Sequence, residues 1–214
     1  MPSRGKYIVI EGNDGTGKSS QVEKLQEKLT SLGIESIQIH EPDGVPISAK
    51  LREIIKDGTL ERDGKTNIML FTAARHENWR QQMEPALASG KWVLSARSWI
   101  STVAYQGYGE GNDVEFIKRV TQEFVGDEYL RPDVEIVLSL TDEAVRKSRI
   151  SNRGELDKPD TFESRADDFQ TKVNDGYFDF AKLQNIQILD ASGTIDEVEN
   201  STWNIVKPLT KETA

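Results

Sequence analysis

The chain of 214 residues contains no cysteine. Disulfides and thiolate metal sites are therefore excluded, and the composition suits a reducing cytoplasm. Histidine is nearly as scarce. His40 and His76 stand without metal-spaced partners and are read as solvated or hydrogen-bonded rather than catalytic. Long apolar runs are missing too: no stretch approaches the roughly 20 residues that a bilayer-spanning helix needs. The N-terminal residues MPSRGKYIVIEG enter a strand-like run at once, with neither a secretory h-region nor transit-peptide character, so a cytoplasmic location is expected. Positive charge is in deficit, with 27 Lys and Arg against 36 Asp and Glu and a formal net charge of −9. That balance argues against general nucleic-acid binding, so any anionic ligand must be held by a local basic cluster. Trp79, Trp92, Trp99 and Trp203 are accordingly read as packing residues and not as a stacking platform. The guanine-reading sequence N-K-x-D occurs nowhere, which excludes an ordinary GTPase.

What is present is an ordinary globular composition, 36% hydrophobic and 29% charged, on a length that fits one domain spanning residues 1–214. Strand-like runs at Tyr7–Glu11, Ile34–His40, Lys91–Ala96, Val134–Leu140 and Ile186–Asp190 are separated by segments of helical period. Val22, Leu25, Leu29 and Leu32 mark the first helix, which Gly33 stops. Later helical patterns cover KLREIIKDG, about Asn67 to Ser89 with Pro85 expected to bend it, Val114–Val125, a basic helix from Asp142, and Ile195–Val206. This alternation predicts an α/β fold: a five-stranded parallel sheet with helices on both faces. Residues 149–165, RISNRGELDKPDTFESR, are polar and charge-dense and interrupt an otherwise helical region; they read as a mobile excursion.

Chemistry enters at GNDGTGKS, residues 12–19, which matches G-x-x-x-x-G-K-[ST] directly after a strand and at the opening of a helix. Gly12, Gly15 and Gly17 let the backbone N–H groups of this loop converge on phosphate oxygens, together with those of Asn13, Asp14, Thr16 and Ser20. Lys18 is placed to reach the β- and γ-phosphates of ATP, and the Ser19 hydroxyl to ligate Mg²⁺. A second feature is VLSARSWISTVAYQG, residues 93–107. Arg97 ends a strand, backed by Ser98, Ser101, Thr102, Tyr105 and Gln106, an arrangement suited to an anion attached to something flat. Phe71 and Arg75 share a helix face at i, i+4, pairing a stacking surface with a bidentate donor for a base edge; Thr102 and Gln106 repeat the spacing.

YIVIEGNDGTGKS, EPDG, LFTAAR, ARSWISTVAYQG, LRPD and the RGELD segment, taken in order over about residues 5–182, resemble thymidylate kinase of the bacterial type. The resemblance implies the P-loop nucleoside-monophosphate-kinase fold with a closing lid, Mg²⁺-ATP as donor, dTMP as acceptor, dTDP and ADP as products, and a homodimer. It implies that Arg97 holds the acceptor phosphate, that Phe71 stacks on thymine and that Arg75 hydrogen-bonds its carbonyl. Thr102 and Gln106 would lie near the base, Ser101 in the same pocket and Tyr105 near the sugar. Glu41 and Pro42 would shape this pocket, Asp14 would organise sugar and metal, and Arg149 and Arg153 would approach the ATP phosphates.

Three positions depart from the family pattern. Ala96 stands where an acid is usual, Ser139 does the same on the fourth strand, and Thr161 replaces the arginine of D-R-x-E in the segment Asp160-Thr161-Phe162-Glu163, with Lys158 nearby. Two other functions stay open on the residues alone. One is a kinase of broader range, for deoxynucleoside monophosphates or deoxynucleosides; the other is a P-loop paralogue that binds nucleotide but transfers little. Ala96 weighs against a nucleoside kinase, whose hydroxyl acceptor benefits from a nearby base. A monophosphate attacks with an oxygen that is already anionic.

Overall fold

The structure is a computed structural model describing residues 3–151, 161–162 and 165–211. Strand β1 (Tyr7–Gly12) lies at the centre of a five-stranded sheet, and every one of its residues is buried. The others are β2 (Ser36–His40), β3 (Trp92–Ala96), β4 (Val134–Ser139) and β5 (Gln187–Asp190), in the order β2-β3-β1-β4-β5 and all parallel. The expected fold class is thus the observed one.

The pleat of β1 sends alternate side chains to opposite faces. Ile8 and Ile10 join Val22, Leu25 and Leu29 of α1 (Lys18–Ser31) and Val198 and Val206 of α9 (Ile195–Val206) in one core. Tyr7 and Val9 join the other, with Ile68 of α3 (Gly64–Asn78), Ile100 of α5 (Trp99–Thr102), and Val173, Tyr177 and Phe180 of α8 (Asp167–Gln184). Helices α2 (Pro46–Lys56), α4 (Glu84–Ala88), α6 (Val114–Phe124) and α7 (Glu143–Ser151) complete the layers. Trp79, Trp92 and Trp99 are buried and Trp203 packs against the α1 side, as packing residues should. His40 meets the Gln38 side-chain oxygen at 3.3 Å, and His76 meets the Phe124 carbonyl.

The helix expected over Asn67–Ser89 is divided. A π-helical turn, Trp79–Met83, separates α3 from α4. Pro85 has no N–H for the preceding turn and its ring crowds it, so the ladder is re-spaced just upstream. A second π-helical turn, Val103–Gly109, continues α5. Of the expected lid, residues 149–151, 161–162 and 165 are described; Arg153, Lys158, Asp160 and Glu163 lie outside the described residues.

The chain passes from β1 to the β2–β3 side of the sheet and later to the β4–β5 side, so the ends of β1 and its neighbours open a crevice of the kind that holds ligands in open α/β sheets.

Candidate active site

On the donor side, residues 12–17 join β1 to α1 in the predicted strand–loop–helix setting. Only glycine fits at position 12: φ is +139°, and a Cβ there would lie 2.4 Å from the Leu138 carbonyl oxygen. Thr16 folds its hydroxyl back onto the Asn13 carbonyl oxygen at 2.8 Å. Lys18 is buried, donates to the same carbonyl at 2.9 Å and approaches Asp14 Oδ1 at 3.9 Å. Ser19, the second residue of α1, is exposed, and Ser20 is half-buried behind it. Among the described residues no cluster of three or more His, Asp or Glu could hold a metal alone. The donor set fits a Mg²⁺ that arrives with nucleotide phosphates, because such an ion takes few protein ligands and keeps its waters; the Ser19 hydroxyl would supply one.

Across the crevice, Arg97 follows β3 in the left-handed region, φ +77°, with its N–H donating to the Ile10 carbonyl at 3.0 Å. A non-glycine residue there is strained, and the surrounding contacts hold it. Its guanidinium pairs with Asp14, donates to Ser101 Oγ at 3.2 Å and to Tyr177 OH at 3.4 Å, and lies 5.5 Å from the Tyr105 ring centre. Burial works against this charge, but Asp14, then Tyr105, Tyr177 and Glu11, more than restore it. The Tyr105 hydroxyl donates to Asp14 Oδ2 and to Asn13 Oδ1, both at 2.9 Å. Burial and then the Asp14 charge push the Tyr105 phenol upward, so it remains a neutral donor.

A buried polar network is organised by Arg75, only 2% exposed. Its Nε donates to Glu41 Oε2 at 3.0 Å and to Tyr129 OH at 2.8 Å; its Nη2 donates to the Ser98 carbonyl at 3.0 Å and to Thr102 Oγ1 at 3.2 Å. Burial raises the Glu41 carboxyl, and Arg75 and Tyr129 oppose the rise. Pro42 follows through a cis peptide. Arg75 Nη1 is buried and, among the described residues, has no hydrogen-bond partner. The fully buried Gln106 side chain makes no close hydrogen bond among the described residues, although hydrogen bonding from it helps to oppose the rise of the Glu110 carboxyl. Phe71 is half-buried, its ring 6.1 Å from that of Phe162.

The expected residues are therefore brought together with two qualifications. Arg149 donates to the carbonyls of Ala191 at 2.8 Å and Gly193 at 3.3 Å. Arg153 lies outside the described residues. The departures also find places. Ala96 packs into the core on the α1 side, Ser139 is half-buried with its carbonyl on Ala191 N–H, and Thr161 Oγ1 donates to the Lys56 carbonyl at 2.8 Å.

Sequence reasoning missed Glu11. Wholly buried at the end of β1, its carboxylate accepts from Ser98 Oγ at 2.9 Å, Ser101 N–H at 3.1 Å, Ser101 Oγ at 2.8 Å and Tyr177 OH at 3.3 Å. It shapes the segment that carries Arg97. The signal was available: in YIVIE, Glu11 shares the alternation of Tyr7 and Val9, so it had to point into the core. Asn13 is a scaffold as well as a loop residue, since its Nδ2 donates to Asn174 Oδ1 of α8 at 2.7 Å.

A phosphate-binding loop on the central strand, facing a basic pocket across a parallel sheet of this order, defines a P-loop nucleotide kinase of the nucleoside-monophosphate-kinase fold. The thymidylate kinase family model matches residues 10–202. The chain is 36% identical over 207 residues to a thymidylate kinase of Magnetococcus marinus, covering 95% of this chain and 96% of that one. It is 34% identical over 208 residues to a thymidylate kinase of Psychrobacter sp., covering 95% and 98%. This chain belongs to the thymidylate kinase family. The crystal structure of thymidylate kinase from Ehrlichia chaffeensis superposes with a TM-score of 0.76 at 24% identity, over 96% of this chain and 100% of that one, a likeness of fold.

Proposed function

We propose that this chain transfers the γ-phosphoryl group of ATP to dTMP, giving dTDP and ADP. The observation that carries this reading is the buried Arg75 Nη1, which has no hydrogen-bond partner among the described residues and lies one helical turn from Phe71 on α3. A buried polar group left without a partner costs about 1–3 kcal/mol, so such a group one turn from an aromatic ring suits a ligand that brings both a hydrogen bond and a flat face. A pyrimidine base does so.

In this reading the P-loop N–H groups and Lys18 hold the ATP phosphates, and Arg97 receives the acceptor phosphate after exchanging part of its contact with Asp14. Tyr105 lies against the deoxyribose, and Glu41 with Pro42 fixes Arg75. The acceptor oxygen is already anionic near neutral pH, so positioning and charge neutralisation carry the rate and no general base is needed; this accommodates Ala96. Ser19 would hold Mg²⁺, which would supply charge neutralisation to the bound phosphates. We assign one domain with a lid at about 149–165.

A cytoplasmic setting is supported by the lack of cysteine, and among the described residues no helix is long and apolar enough to cross a membrane. The net charge of −9 supports small-molecule partners rather than nucleic acid. We also infer a homodimer. Met69 of α3 and Phe124 of α6 are 56% and 60% exposed on helices that pack together, an apolar surface suited to a second copy.

Initial rates with dTMP, dUMP, dCMP and thymidine test the acceptor assignment. dTMP is expected to be used best and thymidine negligibly; thymidine outpacing dTMP would overturn the reading.

A further inference from the structure

Asn13, the second residue of the phosphate loop, is only 2% exposed. A buried carboxamide must make its hydrogen bonds inside the protein, so the partners it finds are informative. Its Oδ1 accepts from the Asp14 N–H at 2.7 Å and from the Tyr105 hydroxyl at 2.9 Å. Its Nδ2 donates to Asn174 Oδ1 at 2.7 Å and to Gln170 Oε1 at 3.5 Å. The backbone donor fixes which end of the amide is oxygen, and all four bonding positions of the side chain are then used. Its main-chain carbonyl meanwhile receives Thr16 Oγ1 at 2.8 Å and Lys18 Nζ at 2.9 Å.

One residue thus touches three parts of the site. Its carbonyl meets the lysine of the phosphate loop, and its Oδ1 meets the tyrosine of the acceptor side. Its Nδ2 is braced on α8, where Gln170, Asn174 and Tyr177 follow at i, i+4 and i+7 on one face. Tyr177 extends that face to Arg97 at 3.4 Å, and Gln170 extends it to the Phe162 carbonyl at 2.8 Å. The Tyr105 phenol has one proton for two loop acceptors, Asn13 Oδ1 and Asp14 Oδ2, each at 2.9 Å. Asn13 is the neutral one of the two, so its hold on Tyr105 does not depend on how Asp14 is shared with Arg97.

From this geometry we propose that Asn13 is a positioning residue whose side chain sets the separation between the phosphate loop and the acceptor side by holding Tyr105 to the loop. The proposal rests on the reading above, in which the loop holds ATP and Tyr105 lies against the deoxyribose of dTMP. In-line transfer is sensitive to that separation, since a misplacement of about 1 Å costs about 10² in rate. The Asn13 side chain touches neither reacting group; it acts through Tyr105 and through the loop backbone.

The test uses the full chain, its Asn13→Leu and Tyr105→Phe variants and the double variant, with two readouts. Leucine keeps the branched shape of asparagine without its polar atoms, and phenylalanine removes only the hydroxyl. The first readout is calorimetric affinity for the β,γ-methylene analogue of ATP, with Mg²⁺ present and no acceptor. Each single variant is expected to weaken it by about threefold or more. The double variant should bind no worse than the weaker single variant, because both substitutions remove the same contact. Factors that multiply in the double variant, or a Tyr105→Phe without effect, overturn the proposal. The second readout is turnover with dTMP: in Asn13→Leu kcat should fall by about tenfold or more while KM for dTMP stays within about threefold. A kcat within about threefold of wild type, or a loss carried mainly by KM, overturns it. If Asn13→Leu does not fold, Asn13→Ala replaces it under the same criteria. A wild type that binds the analogue but does not turn over dTMP defeats the acceptor reading, and the affinity cycle still decides Asn13.

Discussion

Glu11 and Glu135 are two carboxylates inside one sheet with opposite fates. Glu11 is surrounded by hydroxyl and N–H donors from α5 and Tyr177, and replacing it with alanine leaves several of those donors buried without an acceptor. Glu11→Ala is expected to cost about 3 kcal/mol of stability, read by urea unfolding, and to lower kcat/KM for dTMP because Arg97 loses its platform. Unchanged stability would show that the donors find other partners. Glu135 on β4 is the reverse case. Its Oε1 is buried and, among the described residues, unpartnered; burial, with the Glu11 charge, pushes its carboxyl up to about 8. The native state therefore holds this proton more tightly than the unfolded chain. The resulting stabilisation is complete below the usual carboxylate range near 4.5 and is lost as pH rises through about 8. Glu135→Gln removes that slope. Its stability advantage over wild type should be about 2 kcal/mol larger at pH 8 than at pH 6, measured by denaturant unfolding. An advantage independent of pH would show that Glu135 does not titrate in this window.

At the level of elements, strands were the most legible parts. Alternation and apolar runs mark all five strands to within a residue or two at each end, because a buried parallel strand demands continuous apolar sequence. Helix α9 opens on a capping box, Thr194 with Glu197, whose loss should cost about 1 kcal/mol. Thr194→Ala should therefore lower the melting temperature by a few degrees and leave turnover intact, since the cap is remote from Arg97 and Arg75. What the sequence concealed was the departure from 3.6-residue periodicity. The i, i+4 spacing of Thr102 and Gln106 assumed a regular helix, but Val103–Gly109 forms a π turn. Thr102 still meets Arg75, and Gln106 is still fully buried. Helix α8 was legible only as part of a vaguely helical, polar region. Its polar residues make it a scaffold: Gln170 and Asn174 hold Asn13, and Tyr177 meets Arg97 and Glu11.

For the whole molecule, we propose that an acidic protein binds two polyanionic nucleotides by concentrating positive charge at a few sheltered places, Lys18, Arg75 and Arg97. The P-loop and Arg97 could be read directly from sequence because motif spacing fixes them relative to one strand end. The brace on Asn13 could not, because it depends on how α8 packs against the loop. The central claim is that Arg97 receives the phosphate of dTMP. Its most direct measurement is a coupled ADP-release assay with dTMP on wild type and Arg97→Ala. Wild-type turnover that falls by about 10²–10³ in the variant, with melting temperature and ATP affinity largely retained, is the predicted result. Equal turnover in both, or none in either while ATP still binds, would contradict it.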